Sequence, residues 1–333
     1  MRVIALEEHF TIPELVARID PAAIARRGFP PPGVVWSQVT KRAELVDLGA
    51  ARIADLDASG IDLQILSASA PGAELVPGAE GVALARDCND TLAAAVRAHP
   101  GRLGGFAHLP MLDAAAAADE LERCVRDHRF LGAMIHGFTE GRALDDPRFA
   151  PILARAEALG VPLYLHPGIS EAPVRAAYYD GLPGQMSYTM ATAAWGWHIE
   201  TAVHVLRLIL SGTLDRHPRL RIVVGHMGEA LPFMLARCEQ TLAAEAKKYL
   251  QRGVTQTMME QVWITTAGFF TLPPFLAAMQ VFGVDRILFS VDYPFAPNAA
   301  GRKFLDALPV SEADRAKIAH GNAERLLGLA AGG

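Results

Sequence analysis

The chain predicts a (β/α)8 barrel with insertions at its C-terminal mouth, and three observations carry this. Eight short β-rich runs bounded by Gly, Pro or Asp punctuate the 333 residues. Helix-period segments separate them. Carboxylates and imidazoles stand at the strand ends, not within the strands. Near-continuously apolar strands alternating with helices form a parallel sheet with both faces covered, and eight such units in about 300 residues match a closed barrel. A doubly wound open sheet is the alternative. It favours a glycine-rich phosphate loop after the first strand, and Glu7-Glu8-His9 stands there instead.

The first strand is V-I-A-L-E-E-H (3–9). Alternation sends Glu7 and His9 to one face and Glu8 to the other. Val3 and Ala5 share the Glu7 face, so that face is assigned to the barrel interior. Glu8 is then expected outside, in an ion pair with a helix. Residues 10–42, with G-F-P-P-P-G, read as an insertion over the mouth. The second strand, D-L-Q-I-L-S-A-S (62–69), precedes a helix over Glu80–Ala98, and the third, G-G-F-A-H-L-P (104–110), carries His108 and precedes Ala114–Arg126. The fourth, F-L-G-A-M-I-H-G (130–137), carries His136 and precedes Phe149–Ala158. The fifth, V-P-L-Y-L-H-P (161–167), ends at His166; residues 168–196, rich in Gly, Tyr and Met, read as an active-site loop before a helix over Thr201–Ser211. The sixth, R-I-V-V-G-H (221–226), ends at His226. The seventh, V-W-I-T-T-A-G (262–268), precedes Leu272–Val281, and the eighth, R-I-L-F-S-V-D (286–292), ends at Asp292. No linker composition breaks the chain, so residues 1–333 read as one domain.

Composition excludes several classes. Half the residues (51%) are hydrophobic, which is ample for a core, and the net charge of −5 comes without a basic stripe, so nucleic acid is not expected as a partner. Cys88, Cys124 and Cys238 are too few and too far apart for a disulfide framework or a zinc knuckle. Acidic residues interrupt the N-terminal apolar run at once, unlike a signal peptide, and no apolar run has membrane-spanning length. A cytoplasmic protein that does not engage membranes is expected.

The strand ends carry the chemistry, because barrel active sites form at the C-terminal ends of the strands. Glu7, His9, His166 and Asp292 would project from one mouth. Buried carboxylates are costly unless paired or metal-bound, and two carboxylates with two imidazoles suit a divalent cation such as Zn²⁺ or Mn²⁺. Four protein ligands leave His226 as an acid/base beside the metal, with Glu229 orienting its ring; alternatively Glu229 is an acid at a helix N-terminus. His108 and His136 alone are ordinary structural histidines. Tyr178, Tyr179, Trp195 and Trp197 are candidates to frame an aromatic ring, and Arg237 a candidate to reach an anionic group across a subunit interface.

These motifs resemble the decarboxylase branch of the amidohydrolase superfamily, which includes γ-resorcylate, 2,3-dihydroxybenzoate and aminocarboxymuconate semialdehyde decarboxylases. The resemblance rests on A-L-E-E-H-F (5–10), Y-L-H-P (164–167), E-T-A-V-H-V-L-R-L-I-L-S-G (200–212), H-P-R-L-R-I-V-V-G-H-M-G-E-A-L-P (217–232) and R-I-L-F-S-V-D-Y-P-F (286–295). It implies one metal held by Glu7, His9, His166 and Asp292, His226 and Glu229 beside the substrate, and a homodimer or homotetramer. Hydrolytic members open with His-x-His and commonly hold a second metal through a carboxylated lysine. This chain has Glu-x-His and no Lys at an assigned strand end, which favours one metal. Several relatives carry Asn where this chain has His136, which implies a difference in the substrate.

The expected reaction is non-oxidative loss of CO₂ from a small aromatic acid of the ortho-hydroxybenzoate type. Direct loss leaves charge in the ring plane, where the π system cannot spread it. Protonating the carbon that bears the carboxylate avoids this. An acid over that carbon and a cation fixing carboxylate and phenolate are required. Asp292 is the leading donor and must first collect a proton, from the phenol or through His226. The alternatives are a metal-dependent hydrolase of an ester, lactone or C–C bond, or a hydratase, on the same barrel. A non-catalytic binding protein would not need an intact set of strand-end ligands.

Overall fold

The computed structural model describes residues 1–30 and 41–330. All eight strands form: β1 (Ile4–Phe10), β2 (Leu63–Ala68), β3 (Leu103–Gly105), β4 (Ala133–His136), β5 (Leu163–His166), β6 (Ile222–Val224), β7 (Val262–Thr265) and β8 (Ile287–Leu288). They pair in parallel in two runs, β1-β2-β3 and β4-β5-β6-β7-β8. Backbone bonds just beyond the strand ends join the runs. Ala107 bridges Ala133, with the Ala107 amide donating to the Gly132 carbonyl at 2.8 Å. Glu8 bridges Tyr293, with the His9 amide donating to the Tyr293 carbonyl at 2.7 Å and the Asp292 amide to the Glu7 carbonyl at 2.9 Å. Both seams are thereby closed, and the sheet is the (β/α)8 barrel that the alternation predicts.

The expected helices lie over Gly78–Ala98, Ala114–His128, Ala150–Leu159, Gly196–Leu210 and Leu272–Phe282. Asp113 caps the second of these, its carboxylate accepting from the Ala116 amide at 3.0 Å. Between β5 and Gly196–Leu210, residues 168–196 contain two short helices, Ala172–Tyr178 and Met186–Ala191. After β1 come helices Pro13–Ala17 and Pro21–Arg27, and Arg27 donates to the carbonyls of Phe138, just after β4, and Ile169, just after β5. Residues 31–40 of the expected mouth insertion lie outside the described residues.

The core has two layers. Ile4, Leu6, Leu63, Ile65, Phe106, Met134, Tyr164, Val223 and Leu288 fill the barrel, with Ala323 and Leu326 beneath them. Val3 and Ala5 instead join the larger cluster shared with the helices. This corrects the reading of β1: Val3 and Ala5 face outward and Ile4 and Leu6 inward. Glu7 and His9 still turn inward because the register of β1 against β2 shifts between Ala5 and Glu8. Ser290 Oγ accepts both the Leu6 and Glu7 amides, at 3.2 and 3.1 Å, a pairing that marks a bulge. A bulge re-aims the side chains beyond it.

Candidate active site

Glu7, His9, His166 and Asp292 converge. One ligand-capable atom from each lies within 4.8 Å of the others, although β1, β5 and the segment after β8 deliver them from far apart in the chain. His9 Nε2 is 3.1 Å from Asp292 Oδ1, and His166 Nε2 is 3.4 Å from Glu7 Oε1. Asp292 sits in the left-handed region, φ 73°, a conformation that costs about 1–3 kcal/mol and is retained where surroundings demand it.

The set fits a divalent cation. Among the described residues, Glu7 Oε1 and His9 Nε2 are buried without a hydrogen-bond partner, although both stand among polar atoms. Burial and the neighbouring His9 and His226 push the His166 imidazole down to about 3, so it is neutral. His166 Nδ1 lies 2.9 Å from the Pro167 carbonyl, which only accepts; the hydrogen belongs on Nδ1, and Nε2 keeps its lone pair for the centre. The other Glu7 oxygen accepts from Tyr164, whose hydroxyl also lies 3.0 Å from Thr265 Oγ1. Gly225 leaves room for this carboxylate: a Cβ there would come 2.4 Å from Glu7 Oε2.

His226 stands at the edge of the group, its Nε2 3.7 Å from both Glu7 Oε1 and Asp292 Oδ2. Its Nδ1 is 2.7 Å from Glu229 Oε1. Burial opposes charge on this imidazole, but the carboxylates of Glu7 and Glu229 outweigh it and raise its pKa well above the usual value. Burial likewise opposes charge on Glu229; the charge of His226 and the hydrogen bond from His198 outweigh that and hold it at about 2. Asp292 also falls below the usual carboxylate range, because the neighbouring imidazoles of His226 and His9 outweigh its burial. The reading of Glu229 as a helix N-terminal acid does not hold. The helix starts at Leu231, and Glu229 sits before it in a left-handed turn, φ 54°.

Other expectations are redistributed. Among the described residues Glu8 makes no ion pair with a helix; its carboxylate accepts from the Val291 and Tyr293 amides at 2.8 and 2.9 Å. His108 is structural, its Nε2 accepting from the Ala73 amide at 2.9 Å. His136 pairs in register with His166, ring centroids 4.8 Å apart, and its buried Nε2 has no hydrogen-bond partner among the described residues. Above the four-residue group opens a cavity of about 440 Å³, lined by His166, His226 and Asp292 and by the aromatic side chains of Phe29, Tyr188, Trp197, Phe269 and Phe295. That volume suits a single small ring. Trp197 alone of the expected aromatic residues lines it; Tyr178 and Trp195 are largely exposed and Tyr179 packs elsewhere. Arg237 is exposed, near Gln240, and does not line it. His198, absent from the sequence reading, does line it and binds the second oxygen of Glu229. No spacing signal announces His198, because its partner lies on a different barrel unit.

The comparisons agree with this architecture. The gamma-resorcylate decarboxylase of Rhizobium sp. (strain MTP-10005) is 38% identical over 336 residues, covering 98% of both chains. The crystal structure of 5-carboxyvanillate decarboxylase from Sphingomonas paucimobilis superposes with a TM-score of 0.88 at 32% identity, covering 99% of each chain. The dihydroxybenzoic acid decarboxylase from Polaromonas sp. JS666, solved with bound manganese and the inhibitor 2-nitroresorcinol, has a TM-score of 0.86 at 36% identity, covering 98% of this chain and 97% of that one. The family model described as Amidohydrolase matches residues 37–329, and the chain belongs to that family.

Proposed function

We propose that this protein is a metal-dependent, non-oxidative decarboxylase of an ortho-hydroxybenzoate-type aromatic acid, using one divalent ion per chain, Zn²⁺ or Mn²⁺. The observation that carries the reading is the juxtaposition of two buried ligand atoms without a hydrogen-bond partner among the described residues, Glu7 Oε1 and His9 Nε2, with an aromatic-lined cavity and the His226–Glu229 pair. Similarity to decarboxylases of hydroxylated benzoates supports it.

Glu7, His9, His166 and Asp292 hold the metal in this reading. Bound there, the cation supplies positive charge that orients the substrate's carboxylate and ortho oxygen and offsets negative charge in the reaction. The remaining work falls to the protein. The aromatic walls orient the ring and exclude water. Glu229 holds the hydrogen on His226 Nδ1, so His226 Nε2 faces Asp292 Oδ2. A proton passes from His226 to Asp292 and on to the ring carbon bearing the carboxylate; CO₂ leaves as aromaticity returns. Asp292 is held ionised, so it acts as the last carrier and not as the source of the proton.

Metal-loaded protein is expected to release CO₂ from a panel of hydroxybenzoates, and His226→Asn to lower kcat by about 10²–10⁴-fold, the range for a positioned acid/base. Turnover of esters or lactones with no aromatic acid consumed would replace this reading with the hydrolase.

The whole of residues 1–333 acts as one domain in this reading, with residues 10–42 as the mouth insertion. No described helix is long and apolar enough to cross a membrane, and a cytoplasmic location is the natural setting for small aromatic acids. Trp195, Val203, Phe233 and Met234 expose apolar side chains around the groove beside Glu229, and Arg237 lies one helical turn from Phe233. A second copy of the chain covers this face, in a homodimer or a homotetramer. Light scattering should give at least a dimer, and Phe233→Asp with Met234→Asp should shift it to monomer.

A further inference from the structure

Glu229 is shared by two imidazoles. Its carboxylate is fully buried; Oε1 lies 2.7 Å from His226 Nδ1 and Oε2 lies 2.5 Å from His198 Nδ1. His198 occupies the first turn of the helix Gly196–Leu210, and its Nε2 is 2.9 Å from the Ala193 carbonyl. That carbonyl can only accept, so Nε2 carries a hydrogen. Nδ1 of His198 in turn lies against Oε2 of Glu229, a carboxylate held ionised at about 2. Both nitrogens of His198 are therefore spent within the protein, and neither is free to bind substrate, although the ring lines the cavity wall. The rings of His198 and His226 stand 5.0 Å apart at 65°.

Resting on the decarboxylase reading above, we propose that His198 is a positioning residue for the reaction: it clamps Glu229 so that one oxygen is permanently committed to His226 Nδ1, which fixes the tautomer and aim of the His226 ring. Without His198, Oε2 is a buried carboxylate oxygen with no donor. Such an oxygen rotates toward another partner or takes up a proton, and either change loosens its grip on His226. The orientation of an acid/base by a partner one shell out is worth roughly 10–100-fold when removed. The loss falls on kcat, because the clamp never touches the substrate.

The test uses metal-loaded wild-type protein, His198→Phe, His198→Asn, His198→Gln, Glu229→Gln and the His198→Phe/Glu229→Gln double variant, with CO₂ release from the hydroxybenzoate panel, metal content and thermal melting measured on each. His198→Phe should lower kcat by about 10–100-fold, with KM and metal content essentially unchanged. Asn places an amide N–H near the reach of Nδ1 and Gln does not, so Asn should recover much of kcat and Gln little. The double variant should be no slower than Glu229→Gln alone, because the two act through one group. Wild-type kcat in His198→Phe, a loss carried by KM, equal rescue by Asn and Gln, or losses that multiply in the double variant would each overturn the proposal. Should His198→Phe fail to fold, the comparison of Asn with Gln decides. Wild-type protein that binds metal but releases no CO₂ would sink the decarboxylase reading and the proposal with it. A second metal equivalent, lost in His198→Phe, would show His198 to be a ligand and overturn the proposal alone.

Discussion

Glu7 illustrates how many partners one carboxylate needs in a barrel mouth. Burial pushes its carboxyl above the usual value, and the surroundings divide its two oxygens between different tasks. One is held by Tyr164; the other, without a hydrogen-bond partner among the described residues, faces His9, His166 and His226. Tyr164 also lies within reach of Thr265, so the phenol is itself fixed. Removing this support should act on the metal before it acts on the fold. Tyr164→Phe should weaken metal affinity by about 10–100-fold, read by competition with a chromogenic chelator, while the protein still melts cooperatively.

At the scale of elements, the shape of the site comes from irregularities at strand ends. The bulge in β1 resets the alternation so that Glu7 and His9 enter the barrel while Glu8 leaves it for the Val291 and Tyr293 amides. After β6, His226, Met227, Glu229 and Ala230 all have positive φ. That tight turn brings Glu229 back beneath the His226 ring. Elsewhere the helices rely on buried charge held by hydrogen bonds. Glu120, in Ala114–His128, has no side-chain exposure and accepts from Arg123 twice, at 2.7 and 2.8 Å, and from Asn89 at 2.7 Å. Burial raises its pKa, but these bonds outweigh burial and leave it below the usual 4.5. A depressed carboxyl contributes stability that is complete above its unfolded pKa and is lost as pH falls through its folded one. Glu120→Gln should therefore cost about 1.5–3 kcal/mol at pH 7 in urea unfolding. The variant should also lose less stability than the wild type as the buffer is taken from pH 5 down to pH 3.

At the scale of the molecule, the four grouped side chains come from both ends of the sheet and its middle. Glu7 and His9 lie on β1, Asp292 just after β8, and His166 on β5 opposite them. An ion bound to all four therefore stabilises the closed ring against opening at the β8–β1 seam. Metal at about 100 times its Kd should add about 2.7 kcal/mol to the folded state. Treatment with a chelator should lower the melting temperature by several degrees, and restoring Mn²⁺ or Zn²⁺ should reverse it. A melting temperature indifferent to both would separate the four side chains from any metal role.

Much of this was legible in the chain. Strand and helix alternate with different hydrophobic periods, and the C-terminal end of a barrel strand is where a polar residue reaches solvent and substrate. Glu7, His9, His166, His226 and Asp292 could therefore be picked out by position alone, and Glu229 by its spacing from His226. The inward turn of Glu7 was reached from the wrong neighbours, because the bulge that produces it is held by Ser290, 283 residues from Glu7. The aromatic lining was misassigned for a related reason: Phe29, Tyr188, Phe269 and Phe295 come from four separate loops, and nothing local distinguishes them from Tyr178 or Trp195. His198 belongs with these. Local periodicity records which face of an element is buried, so the sequence by itself determined the barrel and the polar residues that gather at its strand ends. Contacts between distant segments leave no such pattern, so only the tertiary structure decided the bulge, the cavity walls and the second imidazole on Glu229.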